Sequence, residues 1–420
     1  MRSAYLLSLP VLVAILLGCA GESAQENASE EPVSKGLEIH EWGVFRTAAD
    51  ADMLNADLRA VWDDLPPFVY GQITGRELPK HWEPMLLKDK PIIFFHTPQA
   101  VTVDLRIEFT AGMAGVWWPG TLRPGLRDGR LAGDGPVNKP FNVLEWRLNL
   151  KEPRGVPNGK VPLQSVKKGH WIETLRAVKA DDVYAHVGED NLGQEHEKFV
   201  YYDGLGPAYK WADISVDKET VTVGNCATFP LFDLTVVDTR KSDKPRVARM
   251  ARLDARSEKK ALDFIAADPK TLSDTGVKNL TAQVKDAGLH EDEANSLAML
   301  WKADFFETEG LTLFYRLPQA EYDRLLPLKV KPRPEKVVRV GFVVHPHCEP
   351  DFAEKVSGMI TDLDSADFTV RQGAQQRLEK LGNAAYAHMV RLRDQTKSTE
   401  VKRRLDELIE KHDARAALRR

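Results

Sequence analysis

Three cysteines in 420 residues are too few for a disulfide-stapled scaffold, and the motifs that mark the best-signed enzyme classes are missing too. There is no G-x-S-x-G, H-E-x-x-H, P-loop or C-x-x-C. That removes the well-marked serine hydrolases, zinc proteases, nucleotide binders and dithiol redox proteins. Basic residues are not in excess: 58 Lys and Arg stand against 62 Asp and Glu, a net charge of −4. A nucleic-acid surface needs a basic footprint, so no nucleic-acid partner is expected. No apolar run after the N-terminal segment reaches the ~20 residues of a spanning helix.

The N-terminus is informative. Arg2 is followed by an apolar stretch over residues 5–17, broken only by Ser8 and Pro10, and then by Gly18-Cys19. The stretch is too short to span a bilayer and has the order of a cleaved export signal, with 1–18 as signal peptide and Cys19 as the lipidation site. In the bacterial lipoprotein class that this segment resembles, the Cys19 thiol and then its freed amine are acylated. Two or three chains, at about 0.8 kcal/mol per buried methylene, anchor a protein stably. Ala20, rather than Asp, points to the outer membrane under the usual sorting rule. Residues 19–36 are acidic and unpatterned, a flexible tether of roughly 20 Å. The expected location is the cell envelope, with the membrane itself a partner through acylated Cys19. Once Cys19 is lipidated only Cys226 and Cys348 remain, and whether they pair is left open.

Residues 37–247 predict a β-rich domain. The apolar run 91–96 and the alternating run 101–109 are separated by a short turn-like link and suggest a hairpin. Further strands are expected at 143–148, 171–178, 198–202, 211–216, 220–226 and 229–237, and a Gly- and Pro-rich surface loop at 120–140. Residues 248–350 mix elements, with helices over 257–267 and 275–306 and strands over 311–317 and 337–344. This region either packs on the β-rich body or completes it. Residues 351–420 predict amphipathic helices, with Val370, Ala374, Leu378 and Leu381 on one stripe. The fold class is therefore α+β: a mainly antiparallel, β-sandwich-like body with inserted helices and a C-terminal helical segment. The run LDSADFTVRQGAQQRLEKLGNAA resembles one HEAT-like unit. One unit is short of the three a solenoid needs, so these helices are expected to contact the body or a protein partner.

Four constellations carry candidate chemistry. In His345-Pro346-His347-Cys348-Glu349, alternate residues of an extended chain share a face, so His345, His347 and Glu349 are candidate metal ligands, suited to zinc or iron. The alternative is a polar strand end, and no cofactor is otherwise predicted. In His40-Glu41-Trp42-Gly43, His40 and Glu41 are candidate catalytic groups, but a strand turns them to opposite faces, which favours packing over acid–base catalysis. Trp117, Trp118, Tyr201 and Tyr202 are candidates for an aromatic ligand platform, or else core. The Gly204-Leu205-Gly206 turn lacks the third glycine and the helix of a dinucleotide site.

Taken in order, EIHEWGVF, KPIIFFHTPQAVTVDLRIEF, Trp117-Trp118-Pro119, EKFVYYDGLG and TLFYRLPQAEYDRLLPLKVKPRPEKVVRVGFV resemble an uncharacterised family of secreted bacterial proteins that opens with a His-Glu-Trp-Gly motif. The likeness spans about 37–344 and implies export but no activity. Its pattern holds no H-x-H at His345 and His347. The functional expectation is a membrane-tethered envelope lipoprotein that binds or scaffolds, its C-terminal helices meeting a protein partner. The alternative is an envelope hydrolase acting on glycan or peptide, with or without a metal, in which His40, Glu41 or the His345/His347 pair takes part.

Overall fold

Val33–Arg46 forms β1, the strand around which the body is built, because Leu37 to Phe45 are apolar or paired at nearly every position and are buried on both faces. Such a strand belongs inside a sheet, not at its edge. The computed structural model describes residues 32–46, 65–71, 85–122, 125–127, 130–132, 142–155, 160–188, 193–207, 209–216 and 220–418. The signal segment, Cys19 and most of the tether lie outside them.

The remaining strands are β2 (Tyr70–Gly71), β3 (Met85–His96), β4 (Thr102–Glu108), β5 (Met113–Trp118), β6 (Gly125–Arg127), β7 (Arg130–Ala132), β8 (Val143–Leu150), β9 (Val183–His186) and β10 (Gln194–Glu197). They continue with β11 (Val200–Pro207), β12 (Ala212–Val216), β13 (Val221–Asn225), β14 (Leu231–Asp238), β15 (Arg246–Leu253) and β16 (Lys260–Leu262). The last are β17 (Ile265–Ala266), β18 (Leu311–Arg316), β19 (Leu328–Lys331) and β20 (Arg333–His345). Twelve form one sheet in the order β17-β15-β14-β18-β20-β1-β3-β11-β5-β2-β6-β7; β10-β9-β8-β4-β19 form a second and β12-β13-β16 a third. All neighbouring strands are antiparallel except β1 and β20, which run parallel in the middle of the large sheet.

In β4, buried Val103, Leu105 and Ile107 alternate with half-buried polar residues, so this strand turns one face to the core. Its wet face carries cross-strand pairs to β8, Arg147 with Asp104 at 2.9 Å and Arg106 with Glu145. Both larger sheets feed one continuous apolar core. Phe109, just after β4, meets Tyr202 of β11 edge-on at 6.0 Å.

Two helices, Leu272–Asp286 and Glu291–Leu300, cover the face of the large sheet that displays His40 and Trp42. Close approach is built in. A Cβ on Gly288 would lie 3.3 Å from the Val338 methyls, and Val338 is the β20 partner of His40. A five-residue π turn, Ala303–Glu307, follows, and Asp304 there binds Arg46 at 2.6 Å. The opposite face receives the short helix Gln319–Leu325. Its Tyr322 ring fits because Gly43 and Gly341, paired in register, carry no side chains: Cβ atoms there would lie 3.1 Å from Tyr322 Oη and 2.9 Å from its Cδ1. The C-terminal helices Phe352–Asp362, Phe368–Leu381, Asn383–Gln395 and Thr399–Leu418 close around a core of their own, centred on Val356, Leu378 and Leu405. Asp367 caps the second of them by accepting from Thr369 N–H at 2.7 Å. The protein is thus sheet-rich α+β with C-terminal helices.

Several expectations are corrected. The runs at 91–96 and 101–109 are not a hairpin: β3 pairs with β1 and β11, whereas β4 pairs with β8 and β19, so the link 97–100 carries the chain from one sheet to another. Residues 171–178 open with a helix, Trp171–Arg176, because Ile172 and Leu175 bury one turn apart and the His170 ring accepts from Ile172 N–H. Residues 257–267 hold strands β16 and β17, since pairing with β13 and β15 overrides the helical propensity of Lys, Ala and Leu. The helix expected over 275–306 is interrupted at Gly288, whose φ of +110° no helix accommodates. The tether expectation also runs too far. Val33 and Ser34 already pair with Arg333 and Pro334, and Gly36 N–H donates to Glu335 at 2.5 Å. The boundary at 247 falls within β15, and residues beyond it supply β18 and β20 to the large sheet. Of the loop expected at 120–140, β6 and β7 form a small hairpin and several residues lie outside the described set.

Candidate metal centre

Strand register brings His40 and His96 together. In the β1–β3 pair, His96 stands opposite Glu38 and His40 opposite Phe94, so Glu38, His40 and His96 share one face. The helix Glu291–Leu300 begins over that face, with His290 as the residue before its first turn and Glu293 as the third residue in. Among the described residues, His40, His96, His290 and Glu293 form a group whose donor atoms all lie within 4.8 Å of one another.

Glu293 is the hub. Its Oε2 lies 2.7 Å from His40 Nδ1 and accepts from the His290 backbone N–H at 2.8 Å, while Oε1 lies 2.8 Å from His96 Nε2. The three imidazoles stand in a triangle with centroids 4.4–5.0 Å apart. His40 and Glu293 are fully buried, His96 is partly exposed, and His290 faces solvent. Burial raises the Glu293 pKa, but hydrogen bonds from His40, His96 and the His290 backbone outweigh it and hold the carboxyl at about 2. Glu293 is therefore an anion at neutral pH. Burial, with His40 and His96 alongside, lowers the His290 pKa against the pull of Glu293, which favours the neutral ring that metals bind.

Three imidazoles and one carboxylate are the donor set of zinc and of other divalent first-row ions. In a loaded tetrahedron donors about 2 Å from the ion stand roughly 3.3 Å apart; here the carboxylate lies nearer than that to His40 Nδ1 and His96 Nε2, at 2.7 and 2.8 Å, and all four donors lie within 4.8 Å of one another. Two nitrogens, His40 Nδ1 and His96 Nε2, already point at the carboxylate that a cation would share with them.

Of the residues proposed from sequence, His40 is in this centre and Glu41 is not. Glu41 lies on the other face, fully buried, and binds Arg339 Nε at 2.8 Å with Tyr322 Oη at 2.9 Å and the Tyr202 hydroxyl donating to it. The two diverge as strand alternation requires, so no His40–Glu41 acid–base pair forms. His345, His347 and Glu349 do not form one group: a left-handed φ of 50° at His347 breaks the extended chain, and although His347 Nδ1 and the Glu349 carboxylate both lie beside Gly310, His345 turns to Tyr315. His345 Nε2 lies 3.1 Å from Tyr315 Oη, the His347 ring stacks on Phe352, and Glu349 accepts from Leu311 N–H at 2.9 Å. Burial pushes both His345 and His347 down to about 4. Trp117, Trp118, Tyr201 and Tyr202 are core residues with no ring face open to a ligand; Trp118 Nε1 donates to Glu197 at 3.0 Å. Cys226 and Cys348 are both free thiols. Cys19 lies outside the described residues.

Sequence reasoning missed His96, His290 and Glu293. One local signal existed: His290-x-x-Glu293 at a helix start puts two donors one turn apart. His96 merely ends the apolar run Ile92-Ile93-Phe94-Phe95.

No protein-family model matches this chain, and no curated protein does. Among solved structures, the yeast delta-COP-I mu-homology domain complexed with a Dsl1 WxWxV peptide aligns with 75% of this chain and 98% of its own, at 7% identity and a TM-score of 0.24. At that score the likeness carries neither fold nor function.

Proposed function

We propose that this chain is an exported envelope lipoprotein, anchored through acylated Cys19, whose folded body binds a divalent transition metal of the zinc or iron class. The observation that carries the metal assignment is the convergence of His40, His96, His290 and the ionised, buried Glu293 within 4.8 Å. An anionic carboxylate buried among three imidazoles calls for a cation, and a metal supplies one without charging the rings. The lipid anchor and the secreted-family resemblance support the envelope location, with the outer membrane as the site of attachment. The C-terminal helices, with their own core and the exposed Phe368 and Val370, supply the surface for a protein partner.

A second reading, metal-assisted hydrolysis of an envelope glycan or peptide, is favoured by one observation: His290 faces solvent, so water can reach the ion from that side. The test is elemental analysis of the purified chain after incubation with zinc and gel filtration. One equivalent of metal per chain, lost in a His96→Ala, His290→Ala variant, is the expected result. Uptake no greater in the native chain than in the variant sinks the proposal.

A further inference from the structure

His40 binds Glu293 through Nδ1, and its second ring nitrogen is the unexplained atom of the centre. Nε2 is buried and has no hydrogen-bond partner among the described residues. Its nearest acid is Glu38, whose Oε2 lies 3.6 Å away. A neutral imidazole carries one N–H. If that proton sits on Nδ1 and is donated to Glu293, a bare lone pair on Nε2 faces the Glu38 carboxylate.

A metal on Nδ1 resolves this conflict. The Nδ1 lone pair then forms the coordinate bond, the Nδ1 proton leaves to solvent, and Nε2 takes one proton from solvent, so the ring stays neutral. The new Nε2–H points at Glu38. Metal-bound histidines usually donate their second N–H to such a carboxylate, which fixes the tautomer and raises the basicity of the ligating nitrogen.

Resting on the metal assignment above, we infer that Glu38 is the positioning carboxylate of the centre, holding His40 by Nε2–H so that Nδ1 faces the ion. Strand geometry places it there. Glu38 is two residues before His40 on the same face, opposite His96 in β3 and opposite Lys336 in β20. Lys336 Nζ stands 3.5 Å from Glu38 Oε2. The carboxylate is 35% exposed, so it is free to shift the few tenths of an ångström to bonding distance. Glu293 cannot serve instead, because it lies on the Nδ1 side of the ring and is itself one of the four donors.

The experiment titrates the full chain with Co2+, read by its visible absorption, and then competes the cobalt off with Zn2+. Glu38→Ala should weaken binding about 10- to 100-fold. Glu38→Gln, neutral but still able to accept the Nε2–H hydrogen bond, should fall between Ala and the native chain. Long-range 15N–1H spectra of the zinc-loaded protein should place the His40 proton on Nε2. A thermal melt in chelator should show that the metal-free variants remain folded, as the part-exposed position of Glu38 predicts. Native-like affinity and cobalt bands in Glu38→Ala, or an Nδ1–H tautomer in the loaded chain, overturn the role of Glu38 and leave the metal centre standing. Failure of the native chain to bind cobalt or zinc overturns both.

Discussion

Glu41 and Arg339 face each other in register across the parallel β1–β20 pair, 2.8 Å apart and both fully buried. Arg339 also donates to Asp323 at 2.9 Å and to the Leu326 carbonyl at 2.7 Å. Removing one ion of a buried pair strands the other, at a cost of about 3–5 kcal/mol. Glu41→Ala and Arg339→Ala should each lose that much in urea denaturation. An apolar replacement of both, Glu41→Leu with Arg339→Met, should recover a large part. A double variant that loses the sum of the two single losses would show that the two ions do not depend on each other.

Gly341 is predicted to tolerate no side chain. A Cβ there would stand 2.9 Å from the Tyr322 ring and 3.1 Å from the Phe45 ring, both buried. Gly341→Ala should lower stability by about 1–3 kcal/mol, the usual cost of overpacking. A denaturation midpoint unchanged from the native chain would mean the ring moves freely, contrary to the packing described.

The pH dependence of stability should carry the mark of Asp238. Burial raises its pKa, but hydrogen bonds from Arg240 and Arg246, each 2.8 Å from Oδ2, bring it down to about 2. A carboxyl depressed in the folded state stabilises above its unfolded pKa and loses that contribution as pH falls. The loss, about 2 kcal/mol, belongs between about pH 4 and pH 2. Asp238→Asn should flatten this part of the curve of unfolding free energy against pH. An unchanged acid limb would refute the assignment.

Zinc should stabilise the fold by linkage, since the four donors come from two strands and a helix that separate on unfolding. At a hundredfold excess over Kd the gain is about 2.7 kcal/mol. The thermal midpoint should rise with zinc in the native chain and stay put in His96→Ala.

Cys19→Ser should move the protein from the membrane fraction to the soluble fraction, with near-ultraviolet circular dichroism unchanged. Retention in the membrane fraction would dismiss the lipid anchor.

Much of the strand pattern was legible because local alternation is a local signal. Period two alone puts His40 and Glu41 on opposite faces; the runs at 143–148 and 337–344 fall within observed strands, and that at 311–317 overruns its strand by one residue. The metal centre was not legible. Its contacts join Glu293 to residues 197 and 253 positions earlier, and no periodicity encodes a meeting at that distance. The false hairpin at 91–109 has a related cause: alternation says which face a residue takes but not which strand lies beside it. At 257–267, propensity lost to pairing at a sheet edge.

The parallel seam also sets an order of events. Glu41 meets its counter-ion 298 residues downstream, so the β20 flank of β1 stays open until nearly the whole body has been made. Contacts of such long range slow folding and prolong the exposure of apolar strands. Until β20 has been made, β1 holds only its β3 neighbour, and the middle of the large sheet stays open.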